Sequence, residues 1–335
     1  MKAVVLTDPH TMTIEDVPRP AAGEGEVLIK VDWCGICGTD VEFYETGSYN
    51  PDWILGHECS GTIEEIGPGV DGWNLGERVT INDLFSCGEC DYCNRGLESV
   101  CANTANLGIH WPGAFAEYTK APARSLFRLP ESVSMKEGAL VPTLAVGHHV
   151  FKRADARPGM KTLVIGAGPV GLGAIAALNA AGVKDIVASD ISPVSRAAAL
   201  SLGAIEAIDP GGENLSTRLE TIFSGPPELV IECVGAPGTI LDSLDLVDRG
   251  GTVAIVGNCF EEITLNPIVW IMKEINIKAS LGTDCRDFDE AIGWIAGRKI
   301  DSSIFMTRTI TLDDLPQTME ELTQQKNDIK IMVKI

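Results

Sequence analysis

The pattern of apolar and polar positions changes rhythm near Pro158-Gly159. Before that point, short apolar stretches are punctuated by Gly and Pro. Lys2 to Leu6, Glu26 to Val31, Gly61 to Gly67 and Arg78 to Ile81 have the length and β-branched content of strands. Many short strands joined by turns predict a β-rich, antiparallel region over roughly the first 120 residues. After it, continuous apolar runs alternate with helical stretches. Thr162-Leu163-Val164-Ile165 reads as a parallel strand buried on both faces, and the Ala-rich segment Leu172 to Ala181 as the helix that follows it. Asp185 to Asp190, Ala204 to Ile208, Leu229 to Glu232 and Thr252 to Val256 continue the series, which predicts a doubly wound sheet. Beyond Ala279 the pattern loosens into two amphipathic helices, Phe288 to Ala296 and Leu312 to Gln325, and a closing strand, Ile329 to Ile335.

Composition narrows the class. With 335 residues, 45% hydrophobic and 22% charged, the chain is long enough for two domains of ordinary globular character. No run of eighteen apolar residues predicts a membrane span. The apolar start at Met1 is interrupted by Asp8 and Pro9, with no small-residue cleavage site after it, so it reads as strand and the expected compartment is the cytoplasm. A net charge of −21 disfavours nucleic acid and anionic membranes as partners. Of the ten cysteines, Cys87, Cys90, Cys93 and Cys101 are packed as C-x2-C-x2-C-x7-C, a spacing that closes a tetrahedron of thiolates around one structural zinc ion. Cys34, Cys59, Cys233, Cys259 and Cys285 read as small packing residues.

Gly166-Ala167-Gly168-Pro169-Val170-Gly171 follows a buried strand and opens a helix, the context in which G-x-G-x-x-G binds a dinucleotide. The first glycine makes the turn, the second lets backbone approach a pyrophosphate, and the third lets helix and strand pack. Asp190, nineteen residues after Gly171, can accept hydrogen bonds from the adenosine ribose, and no Arg or Lys lies between Ser189 and Ser192. NAD is therefore expected rather than NADP. Upstream, Cys34 and Cys37 form a C-x-x-C pair that could ligate metal together. The better reading joins Cys37 to His57, with Glu58 as third ligand or close neighbour and one exchangeable position, which is what catalytic zinc requires.

These residues carry a resemblance to the medium-chain zinc-dependent alcohol dehydrogenases, the superfamily of alcohol, sorbitol, threonine and polyol dehydrogenases. Cys37-Gly38-Thr39-Asp40, Gly56-His57-Glu58, the four-cysteine lobe and the glycine turn stand in the family's order and spacing over essentially the whole chain. The resemblance implies a GroES-like catalytic domain over 1–147, an NAD-binding Rossmann domain over 148–284 and a return to the catalytic domain over 285–335. It implies one catalytic zinc on Cys37 and His57, with Glu58 able to coordinate directly as in the polyol branch, and Asp40 orienting His57. Thr39 would take the substrate proton, and Val234 and Gly235 would lie near the nicotinamide. Glu42 stands where many relatives carry a proton-relaying His. Pro142 stands where many carry a further zinc ligand; His148 could substitute but is better read as a helix-borne core residue, and His149 matches a histidine common in relatives with no metal role. Glu42, Tyr44, Tyr49, Trp53, His110 and Trp111 are candidate lining residues for an alcohol, with ordinary packing or subunit contact the expected role of at least half of the aromatics. The activity implied is hydride transfer from a secondary hydroxyl of a polyol, cyclitol or sugar derivative to NAD, in a homodimer or homotetramer joined through an edge strand near Thr264 to Ala279. An NADPH-linked carbonyl reductase and a non-catalytic, zinc-stapled NAD-binding scaffold remain as alternatives.

Overall fold

The protein is represented by a computed structural model that describes residues 1–47, 50, 52–212, 214–324 and 327–335. The chain divides into two units: Met1–Pro142, Thr283–Arg298 and Met306–Ile335 form one, and Thr143–Gly282 with Lys299–Phe305 the other. The first division falls inside one helix, Val141–Arg153. It comes five residues before the 147 implied by the resemblance, because Gly147 packs backbone to backbone on Gly173 of the second unit. A short stretch after Arg298 also returns to the second unit, between two segments of the first.

The first unit is the β-rich part. Its seven-stranded sheet runs Met306–Thr311, Lys330–Lys334, Glu26–Gly35, Glu58–Ile66, Arg78–Ile81 and Leu126–Arg128, with Tyr118–Pro122 also paired on Glu26–Gly35. All pairings are antiparallel except that between Met306–Thr311 and Lys330–Lys334. Val27, Ile29, Ile63, Val79 and Ile81 point alternately inward from these strands into one core with Phe115 and Met319. Two departures from strict pairing occur in the long strand Glu26–Gly35, whose register shifts between Leu28 and Ile29 and between Val31 and Trp33. Bulges of this kind re-aim the strand end that leads to Cys37.

The second unit is a six-stranded parallel sheet in the order Glu206–Ile208, Ile186–Ser189, Thr162–Ile165, Leu229–Glu232, Thr252–Ile255, Asn276–Ala279. The chain starts in the middle at Thr162–Ile165, works outward to one edge and then to the other. The order therefore reverses between Thr162–Ile165 and Leu229–Glu232, where open α/β sheets bind ligands at the carboxyl ends of the strands. The expected elements appear within a few residues of their predicted ends. The helix predicted over Leu312 to Gln325 is a short turn, Leu312–Asp314, followed by Leu315–Gln324, and Gln325 lies outside the described residues. Among the described residues no helix is long and apolar enough to cross a membrane.

Candidate active site

The strand Glu26–Gly35 delivers the chain to Cys37, which caps the helix Gly38–Thr46. Its neighbour Glu58–Ile66 begins at the residue after His57, and Gly35 pairs with Glu58 across the two strands. Two adjacent strand ends thus bring residues twenty positions apart to one place. The ligand atoms of Cys37, His57 and Glu58 all lie within 4.8 Å of one another.

Asp40 fixes this arrangement. Its Oδ2 accepts the backbone N–H of Cys37 at 2.9 Å, its Oδ1 accepts that of Gly56 at 3.0 Å, and the same Oδ1 is 3.4 Å from His57 Nδ1. One buried carboxylate therefore ties down both neighbouring ligands and leaves the other imidazole nitrogen for a metal. Burial opposes charge on His57, but Asp40 and Cys37 outweigh it and hold the imidazole well above its ordinary proton affinity. The same two groups would favour a metal cation at this nitrogen.

Glu58 has a partner that sequence reasoning missed. Lys330 Nζ donates to Glu58 Oε2 at 2.5 Å and to the Ile36 carbonyl at 3.1 Å, and only 2% of the Lys330 residue is exposed. Burial works against the Lys330 charge, but Glu58 and then Cys37 raise its pKa above the ordinary lysine range. The only sequence signal for it is a lysine between two isoleucines in the closing strand. Gly35 leaves room for the pair, since a Cβ there would meet Glu58 Oε2 at 2.8 Å. A soft thiolate, an imidazole and a carboxylate at these distances make a donor set that fits zinc with a position open.

The second metal set is tighter. Sulfur separations are 3.5 Å for Cys90–Cys93 and Cys101–Cys87, 3.8 Å for Cys90–Cys101 and 4.0 Å for Cys87–Cys93. Four sulfurs about 2.3 Å from one zinc form a tetrahedron with edges of about 3.8 Å. Backbone N–H groups of Cys90 and Asn103 also point at sulfurs, at 3.4 Å and 3.3 Å. Backbone hydrogen bonds hold the Cys90 thiol down at about 6. The lobe fits a closed, structural zinc.

At the glycine turn, Gly166 has φ +88° and Gly171 touches its carbonyl so closely that a Cβ would stand 1.9 Å from the oxygen. Gly168, by contrast, faces open space. It caps the twelve-residue helix Pro169–Ala180, whose free N–H groups favour an anion there. Asp190 accepts the backbone N–H groups of Ala167 and Ser192, each at 2.7 Å, and so braces the turn as well as standing at its strand end. Arg196, not singled out from the sequence, donates to the carbonyls of Asp190 and Ile191 and lies 3.1 Å from the Asp209 carboxylate. Val234 is exposed and packs on Gly166. Fully buried Glu232 accepts from the backbone N–H groups of Val234 and Gly235 and from the Thr239 hydroxyl, which shapes that loop.

The remaining candidates separate. Thr39 and Glu42 are partly exposed, three residues apart on one face of Gly38–Thr46. Tyr44 does not face a ligand: it is 3% exposed and its hydroxyl is bonded to the His10 carbonyl and Glu320, both at 3.0 Å. Trp53 donates to the Gly108 carbonyl, and Trp111 packs edge-on against Phe85. His110 is exposed and accepts the Asn106 N–H. Tyr49 lies outside the described residues. Pro142 lies in a helix and offers no ligand atom, and His148 is buried beside Phe151. Cys34 and Cys59 are buried packing residues, whereas Cys285 donates to the Glu98 carboxylate at 3.1 Å.

Two metal-ligand sets and a dinucleotide turn in one chain define a zinc-type, nucleotide-linked oxidoreductase. The alcohol dehydrogenase GroES-like domain family matches residues 23–131 and the zinc-binding dehydrogenase family matches 169–297. The chain is 33% identical to sorbitol dehydrogenase of Bacillus subtilis (strain 168), over 99% of this chain and 97% of that protein. Among solved structures, an oxidoreductase of unknown specificity from Escherichia coli superposes with a TM-score of 0.94 at 31% identity, covering 100% of this chain and 99% of that one. Galactitol-1-phosphate dehydrogenase from Escherichia coli superposes at 0.93 with 25% identity, covering all of both chains. The chain belongs to the medium-chain zinc-dependent alcohol dehydrogenases, in their polyol dehydrogenase branch, and is an enzyme of that type.

Proposed function

We propose that this enzyme oxidises a secondary hydroxyl of a polyol, cyclitol or sugar derivative, with NAD as hydride acceptor. The observation that carries this reading is the convergence of Cys37, His57 and Glu58 ligand atoms within 4.8 Å. A zinc ion held there supplies a Lewis acid that makes the alcohol hydroxyl acidic enough to lose its proton near neutral pH. Cys37, His57 and Glu58 would hold it, Asp40 keeps the first two in register, and Lys330 balances the Glu58 charge. Thr39 receives the hydroxyl proton, and Glu42, one helical turn further on, passes it to solvent. Gly166, Gly168, Pro169, Val170 and Gly171 would hold the pyrophosphate, and Val234 and Gly235 would lie near the nicotinamide. The cofactor supplies the hydride chemistry and the chain supplies position and field.

NAD is favoured because the Asp190 carboxylate repels a 2′-phosphate, while Arg196 is engaged by two carbonyls and Asp209. We assign one catalytic and one structural zinc to each chain. The ten free thiols suit a reducing compartment, which supports the cytoplasm. Self-association is supported by the edge strand Asn276–Ala279, beside which Ile271, Met272, Ile277 and Leu281 are exposed. A screen of secondary alcohols and polyols with NAD and NADP, followed by absorbance of the reduced cofactor, tests the assignment. Turnover with NAD well above that with NADP is expected. A reversed preference would move the chain to the NADPH-linked readings, and a zinc-loaded protein inert towards every alcohol would leave only the scaffold.

A further inference from the structure

We propose that Asp83 is the charge-selecting residue of the substrate site, admitting uncharged polyhydroxy alcohols and rejecting those that bear a phosphate or a carboxylate. The proposal rests on the dehydrogenase reading above and names the substrate class within it.

The position follows from register. Strand Arg78–Ile81 runs antiparallel to Glu58–Ile66, with Gly61 opposite Val79 and Ser60 opposite Thr80. Thr80 Oγ1 holds the strands together to their ends by donating to the Cys59 carbonyl at 3.0 Å. Continuing the register past that rung sets Asn82 level with Glu58 and Asp83 level with His57. The backbone here is fixed from three sides. Asn82 N–H bonds the Ser125 carbonyl at 2.8 Å, Leu107 N–H bonds the Asp83 carbonyl at 3.0 Å, and Leu84–Phe85 pairs with Ala105–Asn106. Asp83 therefore stands on a rigid element.

Its charge is what is unusual. The carboxylates at the metal centre are taken up: Asp40 by two backbone N–H groups and His57, and Glu58 by Lys330. The side-chain partner of Asp83 is the neutral Asn106, and no Lys or Arg among the described residues pairs with it. The charges of both His57 and Glu58 reach it. Burial pushes its carboxyl up, against the pull of His57 and with the push of Glu58. The residue is nevertheless only partly covered, so it borders solvent while most of its surroundings are protein. A carboxylate held only by Asn106 and a backbone N–H keeps lone pairs that substrate hydroxyls can fill. An anionic group brought to the same place gains nothing and meets a like charge. Even with a divalent cation and Lys330 in place, the Cys37 thiolate and the Asp40, Glu58 and Asp83 carboxylates leave the centre one charge negative. Repulsion between unit charges about 8 Å apart at an effective dielectric near 20 corresponds to roughly 30-fold in rate or affinity.

The test compares wild type with Asp83→Asn, which keeps the shape and removes the charge, and with Asp83→Ala. The probes are sorbitol, a hexitol phosphate and gluconate, assayed with NAD on zinc-loaded protein. Binding of sorbitol and gluconate is also measured by calorimetry without dinucleotide. Wild type is expected to prefer sorbitol over both anions. Asp83→Asn is expected to lose several-fold in kcat/KM for sorbitol and to shrink that preference by roughly 30-fold. Gluconate binding should strengthen by a similar factor, with the zinc content and thermal midpoint unchanged. An unchanged preference and unchanged gluconate binding in Asp83→Asn overturn the proposal, as does a wild type that prefers the hexitol phosphate. If no alcohol is oxidised by any variant, the dehydrogenase reading fails by itself. The calorimetric arm then still decides whether Asp83 excludes anions.

Discussion

Asp40 does more at the metal centre than its place beside the ligands implies, because a single carboxylate reaches Cys37, Gly56 and His57. The counterpart on the other side is Lys330, whose ammonium meets Glu58 with almost no solvent access. A buried pair of this kind adds little net stability over apolar residues, but losing one member strands the other. In zinc-free protein, Lys330→Met should cost roughly 3–5 kcal/mol in denaturant unfolding, because Glu58 is left buried and unpaired. The cost should shrink when zinc is added, since Glu58 then has another cation, and it should largely vanish in the double variant Lys330→Met, Glu58→Gln. Equal stability of Lys330→Met and wild type without metal would contradict this picture. Tyr44 gives a second prediction. Burial, then the bond to Glu320 and its charge, push its hydroxyl from 10.0 to about 12. The unfolded chain thus releases this proton at lower pH than the folded one. Stability present below pH 10.0 is lost as pH rises towards about 12. Thermal midpoints should fall across that window in wild type and fall less in Tyr44→Phe, compared at matched ionic strength.

Among the elements, the helix Gly38–Thr46 and the two strand ends beside it place the ligands, while Asn276–Ala279 is the outermost strand of its sheet. Ile277→Lys should break self-association without affecting the zinc content, as read by sedimentation. A wild type that is monomeric at assay concentrations would remove the role given to that edge. Elements differ in how plainly the sequence announces them. Thr162–Ile165, Leu229–Glu232 and Thr252–Ile255 are written as unbroken apolar runs because neighbours cover both faces of the sheet. Thr11–Asp16 was not foreseen, and its burial explains why: Met12 alone is buried, so neither alternation nor an apolar run marks it. Met306–Thr311 escaped for the same reason, with only Ile310 buried. The returns of the chain between the two units depend on contacts made far along the sequence, which local periodicity does not carry.

At the scale of the whole molecule, the legible part of the candidate site is the part held in short motifs. Cys37 with Asp40, His57 with Glu58, the four cysteines and the glycine turn each lie within a few residues, and local spacing reveals their chemistry. Lys330 stands 272 positions from the carboxylate it pairs with, and Asp83 comes within reach of the His57 charge only because two strands distant in sequence lie side by side. Nothing local distinguishes either from an ordinary surface charge. Tyr44 is one of the aromatic candidates for which packing is the outcome, and its partner Glu320 is 276 positions away. Turnover requires an electrophilic ion that Cys37, His57 and Glu58 would hold. The most direct test is zinc per chain against NADH formation from an accepted polyol, in wild type and in Cys37→Ala, with NAD binding followed in parallel. Wild type should hold two ions and turn over. Cys37→Ala should hold one, bind NAD as before and form no NADH. Undiminished turnover in a Cys37→Ala protein that has lost this ion would contradict the account.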